Sequence, residues 1–169
     1  FGVLAYEISG YTKSGESISN LSHSWFAVML DGKWYGVDPT WGAGYYANGK
    51  FVRKIDNNYF KIEPSDMIKS HMPFDYLWQL LFYPFTNAEF IKGAAGGKEG
   101  KEYFNYPDSL KLYDRQDTLQ RRVASAYRIE KNGVANALVF EQLKWTRLEI
   151  ERRKQGLVID FYHDAVTDY

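Results

Sequence analysis

The stretch HSWFAVMLDGKWYGVDPTWG, residues 23–42, decides how the chain is read. Two apolar runs flank Asp31-Gly32, and Asp-Gly between such runs is a strong signal for a hairpin whose two turn residues both take positive φ. A two-residue turn fixes the pairing: Leu30 faces Lys33, Ala27 faces Gly36, Trp25 faces Asp38 and His23 faces Thr40. His23, Trp25, Ala27 and Met29 then share one face with Trp34, Gly36, Asp38 and Thr40, because alternate residues of a strand point the same way. His23 and Asp38 become diagonal neighbours with backbones about 7–8 Å apart, a gap that an imidazole and a carboxylate close to a hydrogen bond. A carboxylate so placed fixes the histidine tautomer and stabilises the imidazolium formed when the ring accepts a proton. The opposite face carries Phe26, Val28, Leu30, Tyr35 and Val37, so both faces are largely apolar and interior strands are expected. On spacing alone a purely structural bond stays open, with Asp38 simply starting the turn ahead of Pro39.

Outward from the hairpin, residues 1–12, FGVLAYEISGYT, read as a strand, and KSGESISNLS as a polar loop leading to His23. Residues 41–60 read as an irregular loop punctuated by Gly, Asn and Asp, followed by a further strand around Tyr59–Ile62. Pro64 and Ser65 begin a turn or helix, and Asp75–Leu81 forms a short apolar element. GAAGGKEGK, residues 93–101, reads as linker, giving an α+β domain over residues 1–92, a linker over 93–107 and helices over 108–169. Leu119, Val123, Ala126 and Tyr127 keep helical period up to an Asn132-Gly133 stop. A second helix is expected from Asn136 to Gln155 with Gly156 as its stop, and a third from Leu157 through Val158, Phe161, Tyr162, Ala165 and Tyr169. Short Gly-marked turns imply antiparallel helical hairpins.

Twenty-one basic side chains balance twenty-one acidic ones, which removes a global electrostatic case for nucleic acid or an anionic membrane. The helical region from Asp108 to Gln155 carries eleven basic and seven acidic residues, explained by solvated helix faces without the aromatic interleaving of a nucleic-acid surface. No apolar run reaches the ~18 residues of a membrane span. The chain starts at Phe1 within an apolar run and is expected to be an internal piece of a longer protein, so no compartment follows from it. It holds no cysteine, which excludes internal disulfides and zinc–thiolate sites. No metal or cofactor is expected: no Asp-rich loop suggests calcium, and His163 lacks a second ligand in its helical pattern. Ser24 alternates to the face opposite His23, and neither it nor Ser9 nor Ser22 lies in a nucleophile elbow. Trp25 and Trp41 are the candidates for lining a substrate groove, Trp41 foremost because strand-borne tryptophans usually enter cores.

The pattern H-S-W-F-A-V followed fifteen positions after the histidine by D-P-T-W-G resembles the transglutaminase-like superfamily. IEPSDMIKSHMPFDYLWQLL, residues 62–81, resembles the downstream part of the bacterial branch of these domains, and the likeness extends over residues 1–92. His71 in that stretch reads as a turn histidine packed beside Pro73. The resemblance implies a papain-like α+β fold and a Cys-His-Asp triad, with His23 as general base and Asp38 as its orienting partner. It implies peptide or isopeptide hydrolysis, deamidation or glutaminyl acyl transfer through a thioester on a protein or peptide substrate. The family cysteine precedes the strand resembling GVLAYEISGYTK, so here it would lie outside the chain. A catalytically inactive module that binds peptide or glycan is the alternative, and a third reading makes the helices an interaction scaffold.

Overall fold

The computed structural model describes residues 4–93 and 98–167, with side chains to residue 163. In chain order it places β1 (Leu4–Ser14), β2 (Ser17–Leu30), β3 (Lys33–Val37), α1 (Pro39–Ala43), β4 (Gly44–Ala47), β5 (Lys50–Arg53), α2 (Pro64–Met67), β6 (His71–Pro73), α3 (Asn87–Ile91), α4 (Tyr106–Arg115), α5 (Thr118–Lys131) and α6 (Ala137–Thr167). Single 3-10 turns cover Asn57–Tyr59 and Tyr76–Gln79. This is the expected α+β arrangement, an antiparallel sheet followed by helices.

The main sheet has the order β3-β2-β1-β6, all antiparallel. Asp31 (φ 51°) and Gly32 (φ 76°) form the turn between β2 and β3, and the register is the expected one, from Leu30 opposite Lys33 to Phe26 opposite Val37. Pairing ends at Val37 because Asp38 leaves the sheet to cap α1.

Four local expectations are corrected. Residues 13–22 are not a loop: β1 and β2 continue to a turn at Gly15 (φ 59°), with a register shift beyond Tyr11. Their exposed Ser17, Asn20 and Ser22 give no apolar alternation, although Ile18 between them packs against the core. Residues 44–53 form a second hairpin around Asn48-Gly49 (φ 50° and 75°), and Ile62 contributes only an isolated bridge to Gly36. Gly156 does not stop a helix: α6 runs unbroken through it for 31 residues, because an internal glycine weakens a helix without forcing an end. α4, capped by Asn105 and with Pro107 in its first turn, precedes the helices that periodicity found. The starts of strand and linker at residues 1–3 and 94–97, and Tyr169, lie outside the described residues.

One face of the sheet carries Ile8, Trp25 and Ala27, packed with Met67, Leu77, Leu80 and Leu110. The other presents Tyr11 and Met72 to Ala126, Ile129, Val139, Leu143 and Ile150 of the antiparallel α5–α6 pair. Phe104 and Tyr106 also pack against the first cluster, so both cores take residues from before and after position 92. Because α5 and α6 cover the β1–β6 end, the same face of β2 is open: Ser22 and Ser24 are exposed and Phe26 is 39% exposed. The two-sided burial expected of β2 and β3 is therefore confined to part of the sheet.

Candidate active site

Asp38 stands where β3 turns into α1, and its position there follows from two local rules. Pro39 suits the first helical turn, where its missing N–H costs nothing, and an aspartate ahead of it accepts the orphaned amides. Its Oδ1 accepts hydrogen bonds from the backbone N–H of Thr40 at 2.9 Å and Trp41 at 3.0 Å. Its Oδ2 lies 2.6 Å from His23 Nε2, so the diagonal contact read from the hairpin is present. Asp38 is 1% exposed, whereas the His23 side chain keeps 17% of its surface.

His71 completes the cluster, and the turn-histidine expectation is corrected. It lies on β6 opposite Thr12, fully covered, with Nε2 2.9 Å from Asp38 Oδ2 and Nδ1 2.8 Å from Ser70 Oγ. Two strands separate it from β3 in the sheet order, and 33 residues separate it from Asp38 in the chain. The signal in the sequence was its setting: His71 falls in the run SHMPFDYL, whose apolar residues from Met72 to Leu77 are buried. A buried imidazole requires a partner.

Gly10 makes room for this convergence. It pairs with both His23 and Pro73, and a Cβ there would stand 2.1 Å from the Met72 carbonyl oxygen and 2.5 Å from the Trp25 ring. The Trp25 ring thus lies across β1 beside both imidazoles, 6.1 Å from His23 and 5.1 Å from His71 between centroids. At 2% exposure Trp25 is a core residue, which corrects its reading as a groove-lining one. Trp41, half-buried on α1, stands 5.9 Å from His23 and 4.7 Å from His71 and packs edge-on to Tyr59.

Burial works against a charge on Asp38, but bonds from His71, His23 and the Trp41 amide outweigh it and hold the carboxyl below the usual range. Burial pushes the His71 pKa down, only partly offset by its bond to Asp38 and that carboxylate's charge. Burial, with the charges of Asp56 and Asp38, pushes the Tyr59 hydroxyl up. The network therefore assigns an ionised Asp38 accepting Nε2–H from both rings. His23 Nδ1 is left as the free basic atom, without a hydrogen-bond partner among the described residues.

His23, Asp38 and His71 each offer a ligand atom, all within 4.8 Å of one another. Two imidazoles and a carboxylate form a set that zinc accepts, at about 2.0–2.2 Å per ligand. Here both Nε2 atoms point at one carboxylate oxygen at hydrogen-bond lengths, and taking an ion would turn all three groups away from each other.

No family model matches the chain, and no solved structure matches it. Among curated proteins it is similar to the human Kyphoscoliosis peptidase, 36% identical over 97 residues, which is 53% of this chain and 15% of that protein. It is also similar to the Lim and transglutaminase domain protein ltd-1 of Caenorhabditis elegans, 30% identical over 107 residues, 53% of this chain and 15% of that protein. Hillarin of Drosophila melanogaster is 32% identical over 108 residues, 53% of this chain and 13% of that protein. The chain thus spans about a seventh of the curated relatives it matches. They link it, at modest identity, to transglutaminase-like domain proteins.

Proposed function

We propose that this chain carries the base-bearing half of a thiol-dependent acyl-transfer centre, acting on peptide or glutamine amide bonds as a peptidase, amidase or protein acyltransferase. The observation that carries the proposal is the 2.6 Å contact of His23 Nε2 with the buried Asp38 carboxylate, which leaves Nδ1 of a partly exposed ring unengaged. Similarity to proteins named for peptidase and transglutaminase domains points the same way. The nucleophile is a cysteine supplied from outside these 169 residues, which contain none.

In this mechanism Nδ1 of His23 takes the thiol proton, and Asp38 stabilises the imidazolium so formed. The thiolate attacks the substrate carbonyl, and the tetrahedral intermediate collapses as the imidazolium protonates the departing amine. The thioester is then hydrolysed by water or aminolysed by a second amine, with His23 again taking a proton from the attacking group. General-base assistance of this kind contributes about 10²–10⁴-fold.

The test is alkylation of the cysteine at pH 7 in a chain that carries it together with residues 1–169. Replacing His23 with Ala should slow iodoacetamide labelling at least tenfold, since a free thiol is only a few per cent thiolate at that pH. Unchanged labelling refutes the base assignment. The absence of cysteine from these residues favours one second reading, a module that binds peptide or glycan without chemistry. Any residue other than cysteine at the helix start preceding β1 decides for it.

A further inference from the structure

Asp38 has a second imidazole that the mechanism above leaves unused. Each of its oxygens accepts two hydrogen bonds, from Thr40 and Trp41 on Oδ1 and from His23 and His71 on Oδ2. An ionised carboxylate offers about four lone-pair sites, so it is saturated. His71 supplies the one donor of the four that is neither backbone nor the proposed base. Its side chain has no exposed surface, and its other nitrogen is engaged by Ser70.

We propose that His71 is a positioning residue for the His23–Asp38 pair: a neutral, buried imidazole held by the Asp38 carboxylate in the Nε2–H tautomer, with Nδ1 engaged by Ser70, whose donation fixes the carboxylate rotamer and keeps it ionised. This rests on the thiol-centre reading for its purpose, but not for its test. The tautomer follows from donor counting. Both Nε2 atoms contact the same acceptor-only oxygen, so both must donate. A neutral ring that donates from Nε2 accepts at Nδ1, and the Ser70 hydroxyl can donate there. Other groups around His71 do not take over this duty: Trp25 and Trp41 meet it with ring carbons or faces, and Tyr59 contacts Trp41.

The consequence for His23 is mechanical and electrostatic. Rotation of the Asp38 carboxyl would swap the roles of its two oxygens, and it is opposed by His71 on one side and the α1 amides on the other. The oxygen facing His23 therefore stays in place when that ring gains or loses a proton. The donation from His71 also spreads the carboxylate's charge over two rings, so Asp38 stays ionised when it is cut off from water.

Long-range proton–nitrogen spectra of the imidazoles test this on the present chain, which needs no cysteine. In the wild type, His71 should show a protonated Nε2 and an unprotonated Nδ1 across the neutral range. A proton on Nδ1 overturns the proposal whatever the variants do. His71→Phe removes the donor at similar volume, and the pH at which Asp38 takes up its proton, followed by its carboxyl carbon shift, should rise by about one unit, tenfold in acidity. His71→Gln restores a donor and should bring that midpoint back to within a factor of about two. A folded His71→Phe with an unmoved Asp38 midpoint, or a Gln variant as shifted as Phe, reduces His71 to packing. If His71→Phe does not fold, Ser70→Ala substitutes for it: the His71 ring should keep its proton on Nε2, held there by Asp38 alone, and a proton on Nδ1 overturns the assignment. All these readouts are independent of thiol labelling, so failure here leaves the His23 assignment standing, and the reverse holds too.

Discussion

Asp38→Asn probes the network with a single-atom change, and its cost can be worked from the bonds. Four N–H groups converge on this carboxylate, two on each oxygen. An amide of the same shape keeps one oxygen and turns the other into a donor, so in either orientation two N–H groups lose their acceptor. A buried donor left unsatisfied costs about 1–3 kcal/mol, which puts the loss at roughly 2–6 kcal/mol. Either ring can relieve part of it by moving its proton to Nδ1, where the Ser70 hydroxyl can turn to accept from His71, so a loss of about 3 kcal/mol is expected. With an m-value of roughly 2 kcal/mol/M, the urea midpoint should fall by about 1.5 M. Tryptophan fluorescence is the natural probe, because Trp25 and Trp41 border the cluster. Acid supplies a second check. The folded-state pKa of Asp38 is depressed, so its stabilisation is full above the ordinary carboxylate value near about 3.9 and fades as pH drops through the folded-state value. The gap between wild type and variant should therefore be widest at neutral pH and shrink below about pH 4. A loss under ~0.5 kcal/mol at pH 7, or a gap that ignores acidification, refutes the four-donor description.

Gly10→Ala should destabilise the protein by about 3 kcal/mol or more and perturb near-ultraviolet tryptophan signals, since the new methyl meets the Met72 carbonyl and the Trp25 ring. Gly156→Ala should raise the helix content or melting temperature, by about 0.5–1 kcal/mol, because nothing lies within 4 Å of the added carbon; destabilisation would mean that α6 breaks there. Arg128 binds Asp75 through two bonds of 2.6 and 2.7 Å, tying α5 to the 3-10 turn at Tyr76–Gln79. Arg128→Ala leaves the buried Asp75 charge facing no cation and should cost about 3–5 kcal/mol by thermal unfolding, a larger loss than that from Lys69→Ala on the exposed Asp66 pair.

What the sequence disclosed depended on how local each contact is. The β2–β3 register needed only Asp31-Gly32 and the period of two, and it delivered the His23–Asp38 contact with it. The β4–β5 hairpin offers the same kind of signal at Asn48-Gly49, but its four-residue strands expose Tyr45, Tyr46 and Phe51 and show no alternation to read. His71 was misplaced because its partners come through sheet order: β6 is three residues long and meets β1 by a pairing that no spacing rule encodes. Trp25 illustrates a different failure. Alternation correctly put it on the His23 face, but only the missing side chain at Gly10 explains why the ring crosses β1 to stack on His23 and meet His71 edge-on at 2% exposure. At Gly156, composition suggested an end where the flanking residues favour continuation.

A carboxylate whose every lone pair is occupied and whose surface is closed to solvent has no room for a counterion. Raising sodium chloride from 0.01 to about 1 M shortens the Debye length from about 30 to 3 Å and weakens exposed pairs such as Lys111 with Asp108. The Asp38 cluster lies outside that influence: its geometry should be the same in dilute buffer and in brine, and protons are the ions to which it responds.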